Sequence, residues 1–459
     1  MIGAILRKYY GNFSGEELKK FIFLGVIFAF TIGVYWLLRP LKDSLFCTIS
    51  CAVNIPVAKW VSLFVVVPLA MGYSMIVDRY PRHRIFYVLC AIYGALALMF
   101  AYFFSHPVYG LDTNNIQQVL VGSKSYSQHV TTFTQWLGWA WYVYVESFGS
   151  LMVVLFWGFA ADTTKPESAK RGFGIVAMGA QFGGIMGPLA VWLWSSSLGE
   201  PTLIFGSAIA IFLTAAMIYI FMATTPKDQL EGYKGGDKPA ADAKPAKKTG
   251  FMEGFYLLIS QPYLLGIFGV ISIFEVINTI FDYKLKMLAA TAHSGSALST
   301  FLGEFGVWVN AVGLLCLILG VNSIGEKLGV RRSLLVLPVL VAVGVIVVYF
   351  NSSLWVVFGT NVMLKALNYA FNQPVKEQLY IPTSKDTKYK AKAWTEMFGS
   401  RGSKAAGSGV NFLLRVMTAE TFLLVSSVAA LGMIGVWVAA ASYVGRKHKE
   451  AVDNNSIVC

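Results

Sequence analysis

Twelve stretches of about 20 mainly apolar residues, starting near positions 21, 57, 84, 136, 172, 203, 263, 303, 333, 354, 394 and 421, constrain this 459-residue chain more than any other feature. Each is long enough to cross the hydrocarbon core of a bilayer as a helix. A helix satisfies its own amides and carbonyls, which lipid cannot do, so helices are the expected form of these stretches. Composition points the same way: 56% of the residues are hydrophobic and 13% are charged, outside the range of an ordinary soluble domain. The expectation is an all-α polytopic membrane protein with 12 transmembrane helices, its main partner surface the lipid bilayer.

Orientation follows from the charges between the stretches. The first 20 residues, MIGAILRKYYGNFSGEELKK, carry Glu16 and Glu17 and lack a small-residue cleavage site. They resemble neither a signal peptide nor a transit peptide and read as a cytoplasmic segment, 1–20. The even-numbered loops and the tail then face inward. They hold Arg79, Arg82 and Arg84; Lys165, Lys170 and Arg171; Lys327, Arg331 and Arg332; Lys385, Lys388, Lys390 and Lys392; and Arg446, Lys447 and Lys449. The outward loops offer little beyond Lys124. This is the positive-inside pattern, and it places both termini in the cytoplasm. Much of the net charge of +13 is thereby orientation signal, and no nucleic-acid partner is implied.

The chain also repeats itself. VDRYPRHR (77–84) after the second stretch aligns with GEKLGVRR (325–332) after the eighth; Asp78, Arg79 and Arg84 fall on Glu326, Lys327 and Arg332. Further on, Thr163, Thr164, Lys165 and Lys170 match Thr383, Ser384, Lys385 and Lys390, with Gly179 and Gly187 on Gly399 and Gly407. The second alignment has a smaller offset, and the long outward loop 105–134 supplies the extra residues of the first half. Two parallel six-helix halves are therefore expected, 21–224 and 253–445, with a tail at 446–459. Between them lies a cytoplasmic linker, 225–252, whose Lys/Ala/Pro/Gly stretch at 232–250 cannot bury a core. This layout resembles the major facilitator type, in which substrate binds near the midplane between the halves. The charged motif after the second and eighth stretches reads first as a helix-end salt bridge.

Ionisable residues inside the stretches are the informative positions, because each costs roughly 2.5 kcal/mol or more if it faces lipid. The first stretch has Tyr35, Arg39 and Lys42 at helical spacing, and the fourth has Glu146. The seventh sets Glu275, Asn278 and Asp282 on one face, ahead of Lys284 and Lys286. The tenth has a stripe of Lys365, Asn368, Tyr369, Asn372 and Lys376, and the eleventh has Arg401 and Lys404. On a helical wheel Gly399, Ser403 and Gly407 share one side of the eleventh stretch, while Arg401, Lys404 and Ser408 share the other. Small residues four apart allow close helix contact and turn the cations away from it. The fifth stretch keeps the small face with Gly179, Gly183 and Gly187 but has Gln181 and Gly184 in place of the cations. The site is thus expected to be asymmetric.

Lys284, Lys286 and Lys376 read as side chains snorkelling to an interface, and Arg39 with Asp43 reads equally well as a structural pair. The excess of cations points to an anionic substrate, with Arg gripping phosphate as a fork and Lys as a point charge. Tyr35, Trp36, Trp141 and Tyr142 are candidates for a stacking surface. Five scattered histidines make no metal spacing, and no phosphate loop or Ser/His/Asp set is present, so neither an enzyme nor a bound cofactor is expected. Cys47 and Cys51 read either as a pair in an oxidising compartment or as two free thiols; Cys90, Cys316 and Cys459 look incidental.

LLRPLKDSLF in the first stretch, LKALNYAFNQPVKEQLYIPTSKDTKYKAKA and the following SRGSKAAGS resemble the nucleotide transporters, or ATP/ADP translocases, of obligate intracellular bacteria and plastids. The resemblance covers most of the chain. It implies exchange of ATP for ADP, often with phosphate; other members carry nucleotides with proton coupling, or NAD. It also implies transport roles for two intramembrane lysines and two glutamates, which fall on Lys42, Glu146, Glu275 and Lys404. Residues and resemblance together give a substrate site of Tyr35, Arg39, Lys42, Glu146, Glu275, Asp282, Lys365, Asn368, Arg401 and Lys404. A monomer in a bacterial inner membrane is expected.

Overall fold

The structure, a computed structural model, describes residues 14–77, 79–112, 116–121, 124–226, 230, 251–319, 321–384, 391–392, 394–454 and 456–458. The start of the cytoplasmic segment, Asp78, most of the linker, Lys385, Lys388, Lys390 and Cys459 lie outside the described residues, as do the side chains of Lys124, Lys170, Glu326 and Lys327.

The first half comprises α1 (Gly15–Ser50), α2 (Ile55–Val77), α3 (Arg82–Ser105), α4 (Thr132–Asp162), α5 (Pro166–Leu198) and α6 (Glu200–Thr224). The second begins with a short α7 (Phe251–Ser260). It continues with α8 (Pro262–Ala292), α9 (Ser296–Ile318), α10 (Val321–Phe350), α11 (Leu354–Leu367), α12 (Gln373–Gln378), α13 (Ser400–Phe412) and α14 (Ala419–Asp453). Local chemistry sets several ends. The Ser14 hydroxyl accepts from the Glu17 amide at 3.1 Å to cap α1, whose first turn holds Glu16 and Glu17 against the positive end of the helix dipole. α10 is broken at Gly329, where φ is 72°, a conformation open to residues without a Cβ.

Ten helices among the described residues are long and apolar enough to cross a membrane. The two remaining stretches, tenth and eleventh, are interrupted. α11 passes through a π turn at Asn368–Asn372 into α12, and a π turn at Thr395–Gly399 leads into α13. Twelve spans fit this arrangement only when these two broken elements are counted. The all-α expectation misses one feature: in the loop 105–134, β1 (Ile116–Val121) pairs antiparallel with β2 (Lys124–His129), Ile116 opposite His129.

Two apolar cores organise the protein. One is built from residues 21–221; the other spans 258–444 and also takes in Phe46, Cys47, Cys51, Ala52, Val53, Ile55, Ala58 and Tyr142. The ends of α1 and α2 therefore pack into the core of the second half. Small residues form the seams. A Cβ on Gly179, Gly183 or Gly187 would come within 2.2 Å of a backbone oxygen of α1, so α5 lies directly against α1. Gly407 meets the Val276 carbonyl in the same way and seats α13 on α8. Between the halves, Gly303 and Gly306 of α9 abut Pro188 of α5.

Hydrogen bonds between the halves cluster where α1 and α5 end and α6 and α9 begin. Ser299 donates to Ser44 at 2.7 Å and to Glu200 at 3.0 Å, and Ser195 meets Thr300 at 2.8 Å. Near the opposite end of α3, Arg82 binds Asp162 at 2.8 Å and the Gly158 carbonyl at 2.7 Å. This is a helix-end salt bridge, carried by Arg82 rather than by the repeated Arg79 and Arg84. Cys47 and Cys51 are both buried and no disulfide joins them, so the pairing option does not hold; the Cys51 thiol donates to the Gln128 side-chain oxygen at 3.5 Å.

Candidate functional site

A cavity of about 150 Å³ lies between the two halves, and all ten residues expected at the site line it. Helical spacing explains how each element delivers its share. Tyr35, Arg39 and Lys42 stand at i, i+4 and i+7 on α1, and Glu275, Asn278 and Asp282 at i, i+3 and i+7 on α8, so each set shares one face. α4 supplies Glu146. α11 supplies Lys365, and the π turn after it supplies Asn368; a π turn shifts the register of side chains around the axis. α13 supplies Arg401 and Lys404, opposite its packing seam. In α1, Pro40 has no amide hydrogen to offer the Trp36 carbonyl, which loosens the helix between Arg39 and Lys42.

Among the described residues seven cations line the cavity: Arg39, Lys42, Lys59, Lys286, Lys365, Arg401 and Lys404. Three carboxylates stand against them: Glu146, Glu275 and Asp282. They form a chain of alternating charge. Lys42 pairs with Glu146 on α4 and lies 3.5 Å from Asp43. Asp43 binds Lys286 at 2.7 Å, and Lys286 binds Asp282 at 2.6 Å. Asp282 also takes Lys365 at 2.5 Å and Lys59 at 3.9 Å. Lys404 stands apart, 3.8 Å from Glu275, with its side chain 48% exposed to the cavity. Arg401 donates to the Ser150 hydroxyl of α4 and so reaches from the second half to the first. Buried charges hold this position only when paired or hydrogen-bonded, which the chain achieves with an excess of positive groups.

Several expectations are corrected here. Lys286 does not snorkel; it is buried between two carboxylates, because its face of α8 meets α1 rather than lipid. Lys376 is buried as well, whereas Lys284 is half-buried and donates to Ser352 at 2.9 Å. Asp43 pairs with Lys286 and Lys42, not with Arg39, whose guanidinium lies 4.8 Å over the Trp36 ring. Trp141 and Tyr142 are fully buried and offer no stacking surface. Trp141 packs among Phe100, Phe104 and Tyr144, and Tyr142 lies under Lys42 at 4.4 Å. Tyr35 lines the cavity and lies against Gly149 of α4.

Lys59 and Ser62 of α2 were missed. Drawing the second stretch from position 57 put Lys59 at its boundary, where a lysine needs no explanation. The helix begins at Ile55 after a short turn from Ala52, so Lys59 sits more than a turn inside. The rule that an intramembrane charge marks a site would have found it.

Comparison with known proteins agrees with this architecture. ADP,ATP carrier protein 1 of Chlamydia muridarum is 26% identical over 485 residues, an alignment covering 96% of this chain and 90% of the relative. ADP,ATP carrier protein 3 of Rickettsia conorii is 20% identical, covering 92% and 93%. Among solved structures, a bacterial homologue of the iron transporter ferroportin in an inward-facing state superposes with a TM-score of 0.64 at 12% identity, covering 94% of this chain and 100% of that one. The nucleoside transporter NupG gives 0.60 at 12% identity, covering 92% and 98%. At such identity these two show the shared transporter fold. The profile of the TLC ATP/ADP transporter family matches residues 4–448, and the chain belongs to that family.

Proposed function

We propose that this multi-pass membrane protein exchanges ATP for ADP by alternating access, with the nucleotide bound in the cavity between the halves. The observation that carries the reading is the charge of that cavity. Seven cations against three carboxylates leave a surplus that a polyphosphate would neutralise. Lys42, Arg401 and Lys404 take the phosphates, and Arg39 and Lys365 add to the positive field. Glu146 and Glu275 hold Lys42 and Lys404 while the site is empty. Tyr35, Asn368 and Asp282 complete the lining and bear on the ribose and base. Family membership supports the substrate class, since the relatives are named ADP,ATP carriers.

An empty carrier that closed would bury uncompensated positive charge, which is costly. A bound nucleotide removes that cost and lets the halves rock, which makes movement conditional on substrate and the transport an exchange. The protein moves the nucleotide unchanged, and phosphate travels with ADP in the same positive cavity. Two six-helix halves, 21–224 and 253–445, act as the rocking units, joined by the linker 225–252. The setting is a bacterial inner membrane, with a monomer as the working unit and both termini cytoplasmic, as the basic loops favour. The bond-rich end of the interface, around Ser44 and Ser299, is then the closed outer side.

The test loads proteoliposomes with labelled ADP and follows efflux with and without external ATP. Efflux that depends on external ATP is expected. Equal efflux in both conditions overturns exchange, and uptake driven by a pH gradient into vesicles lacking internal nucleotide would instead support a proton-coupled importer.

A further inference from the structure

Asp282 is approached by three lysines from three helices, and they are not equivalent. Lys365 and Lys286 sit at 2.5 and 2.6 Å, hydrogen-bonding distance for a charged pair, and both belong to the same half as Asp282. Lys59 comes from α2 of the other half and stops at 3.9 Å, an ion pair without a hydrogen bond. Among the described residues its ammonium has no other carboxylate within 4 Å, yet its side chain is only 17% exposed and lines the cavity. An ammonium has three donors. Among the described residues no acceptor lies within hydrogen-bonding distance of those of Lys59, while Asp282 already has two closer partners.

We propose that Lys59 is a phosphate-binding residue, and that its loose contact with Asp282 is exchanged for a phosphate oxygen when nucleotide enters. The inference rests on the nucleotide-exchange reading above. Of the cations paired along the charge chain, Lys59 is the one whose release costs least, since Asp282 stays neutralised by Lys286 and Lys365. Its release also undoes one of the two ion pairs that, among the described residues, link α8 to the first half; the other is Asp43 with Lys286. Substrate binding thereby loosens the interface at the point where α2 meets α8. α2 also faces α13 across the same cavity, with Ser62 and Leu63 on one side and Arg401, Lys404 and Ala405 on the other. A phosphate held by Lys59 and Lys404 together would bridge the halves through the substrate in place of the lost ion pair.

The full-length protein reconstituted in proteoliposomes provides the test, with wild type, Lys59→Gln, Lys59→Arg and the double variant K59Q/D282N compared. Loss of one charge-assisted contact is expected to raise KM for ATP and ADP about tenfold in K59Q, with kcat within about threefold of wild type. K59R keeps the charge and is expected to stay within about threefold of the wild-type KM. A lysine that only neutralises Asp282 would instead give K59Q a normal KM and a lowered thermal midpoint, and that result overturns the proposal. In K59Q/D282N the charge balance is restored without a ligand for phosphate, so KM is expected to remain raised. A wild-type KM in the double variant overturns the proposal even if K59Q does not accumulate. Failure of the wild type itself to exchange nucleotides would reject the underlying reading instead, so the two failures are told apart.

Discussion

Asp43 of α1 and Lys286 of α8 lie 2.7 Å apart, both buried, and their ion pair joins the first half of the protein to the second. Lys286 holds Asp282 as well, at 2.6 Å, whereas Asp43 keeps Lys42 at 3.5 Å as a second cation. Removing the lysine therefore takes from Asp43 its hydrogen-bonded cation and leaves only Lys42 at 3.5 Å, and it takes one close partner from Asp282, whereas neutralising the aspartate leaves Lys286 with Asp282 and Lys42 with Glu146. Lys286→Met is expected to destabilise the detergent-purified protein by about 3 kcal/mol, the scale for breaking a buried pair. Asp43→Asn is expected to cost clearly less. Thermal unfolding of the two variants checks the order, and equal losses would contradict this account of the network.

Lys404 is half-exposed to the cavity and only loosely held by Glu275, so it is free to meet an anion. Lys404→Gln is expected to raise KM for ATP by about tenfold or more. Glu275→Gln leaves Lys404 uncompensated and is expected to lower KM while slowing turnover, because tighter ground-state binding is not matched in the moving state. Initial rates of labelled ATP uptake at several concentrations measure both.

The α1–α5 seam gives a packing test. A Cβ on Gly183 would lie 2.1 Å from the Ala29 carbonyl oxygen, a backbone atom that cannot swing aside. Gly183→Ala gains up to about 1 kcal/mol of helix propensity, yet the forced separation of two helices is expected to outweigh it, for a net loss of about 1–3 kcal/mol. Gly206, with nothing within 4 Å of such a Cβ, is the control. Gly206→Ala is expected to be neutral or stabilising in the same thermal assay.

The hairpin outside the spans is expected to respond to acid. His129 is fully buried at the end of β2, and among the described residues neither ring nitrogen has a hydrogen-bond partner. Burial disfavours the imidazolium and holds the ring below its ordinary pKa, with Asp112 opposing the shift in part. The stability gained from the neutral ring is present above the unfolded-state value of about 6.5 and is lost as pH falls below it toward the lower folded value. Hydrogen exchange of the β1–β2 amides, corrected for intrinsic rates, is expected to show less protection at about pH 5.5 than at about pH 7.5. His129→Phe is expected to remove that difference, and an unchanged pH response in this variant would rule the residue out as its source.

Much of the cavity lining at the candidate site was legible in the sequence because a charge inside an apolar stretch is a local anomaly. Arg39, Glu146, Lys365 and Lys404 stood out for that reason, and all ten expected residues line one cavity. The seams were legible for a related reason: glycines four apart define a face on any helix, whatever it packs against, and Gly179, Gly183 and Gly187 indeed meet α1. The π turn at Asn368–Asn372 was not legible. Its polar stripe fits an unbroken helix equally well, and the choice depends on what the freed backbone and side chains can reach.

By itself, then, the sequence determined that this chain lives in a bilayer as helices, which faces of those helices pack closely, and which charges need a partner. These properties depend on hydropathy and helical period over a few turns. Only the tertiary structure decided the partners: Lys286 for Asp43 where Arg39 was the candidate, Asp282 for Lys59, an apolar cage for Trp141 and an open cavity wall for Tyr35. Pairing energy falls with distance and rises with burial. Both are fixed only when helices far apart in the chain come to lie side by side.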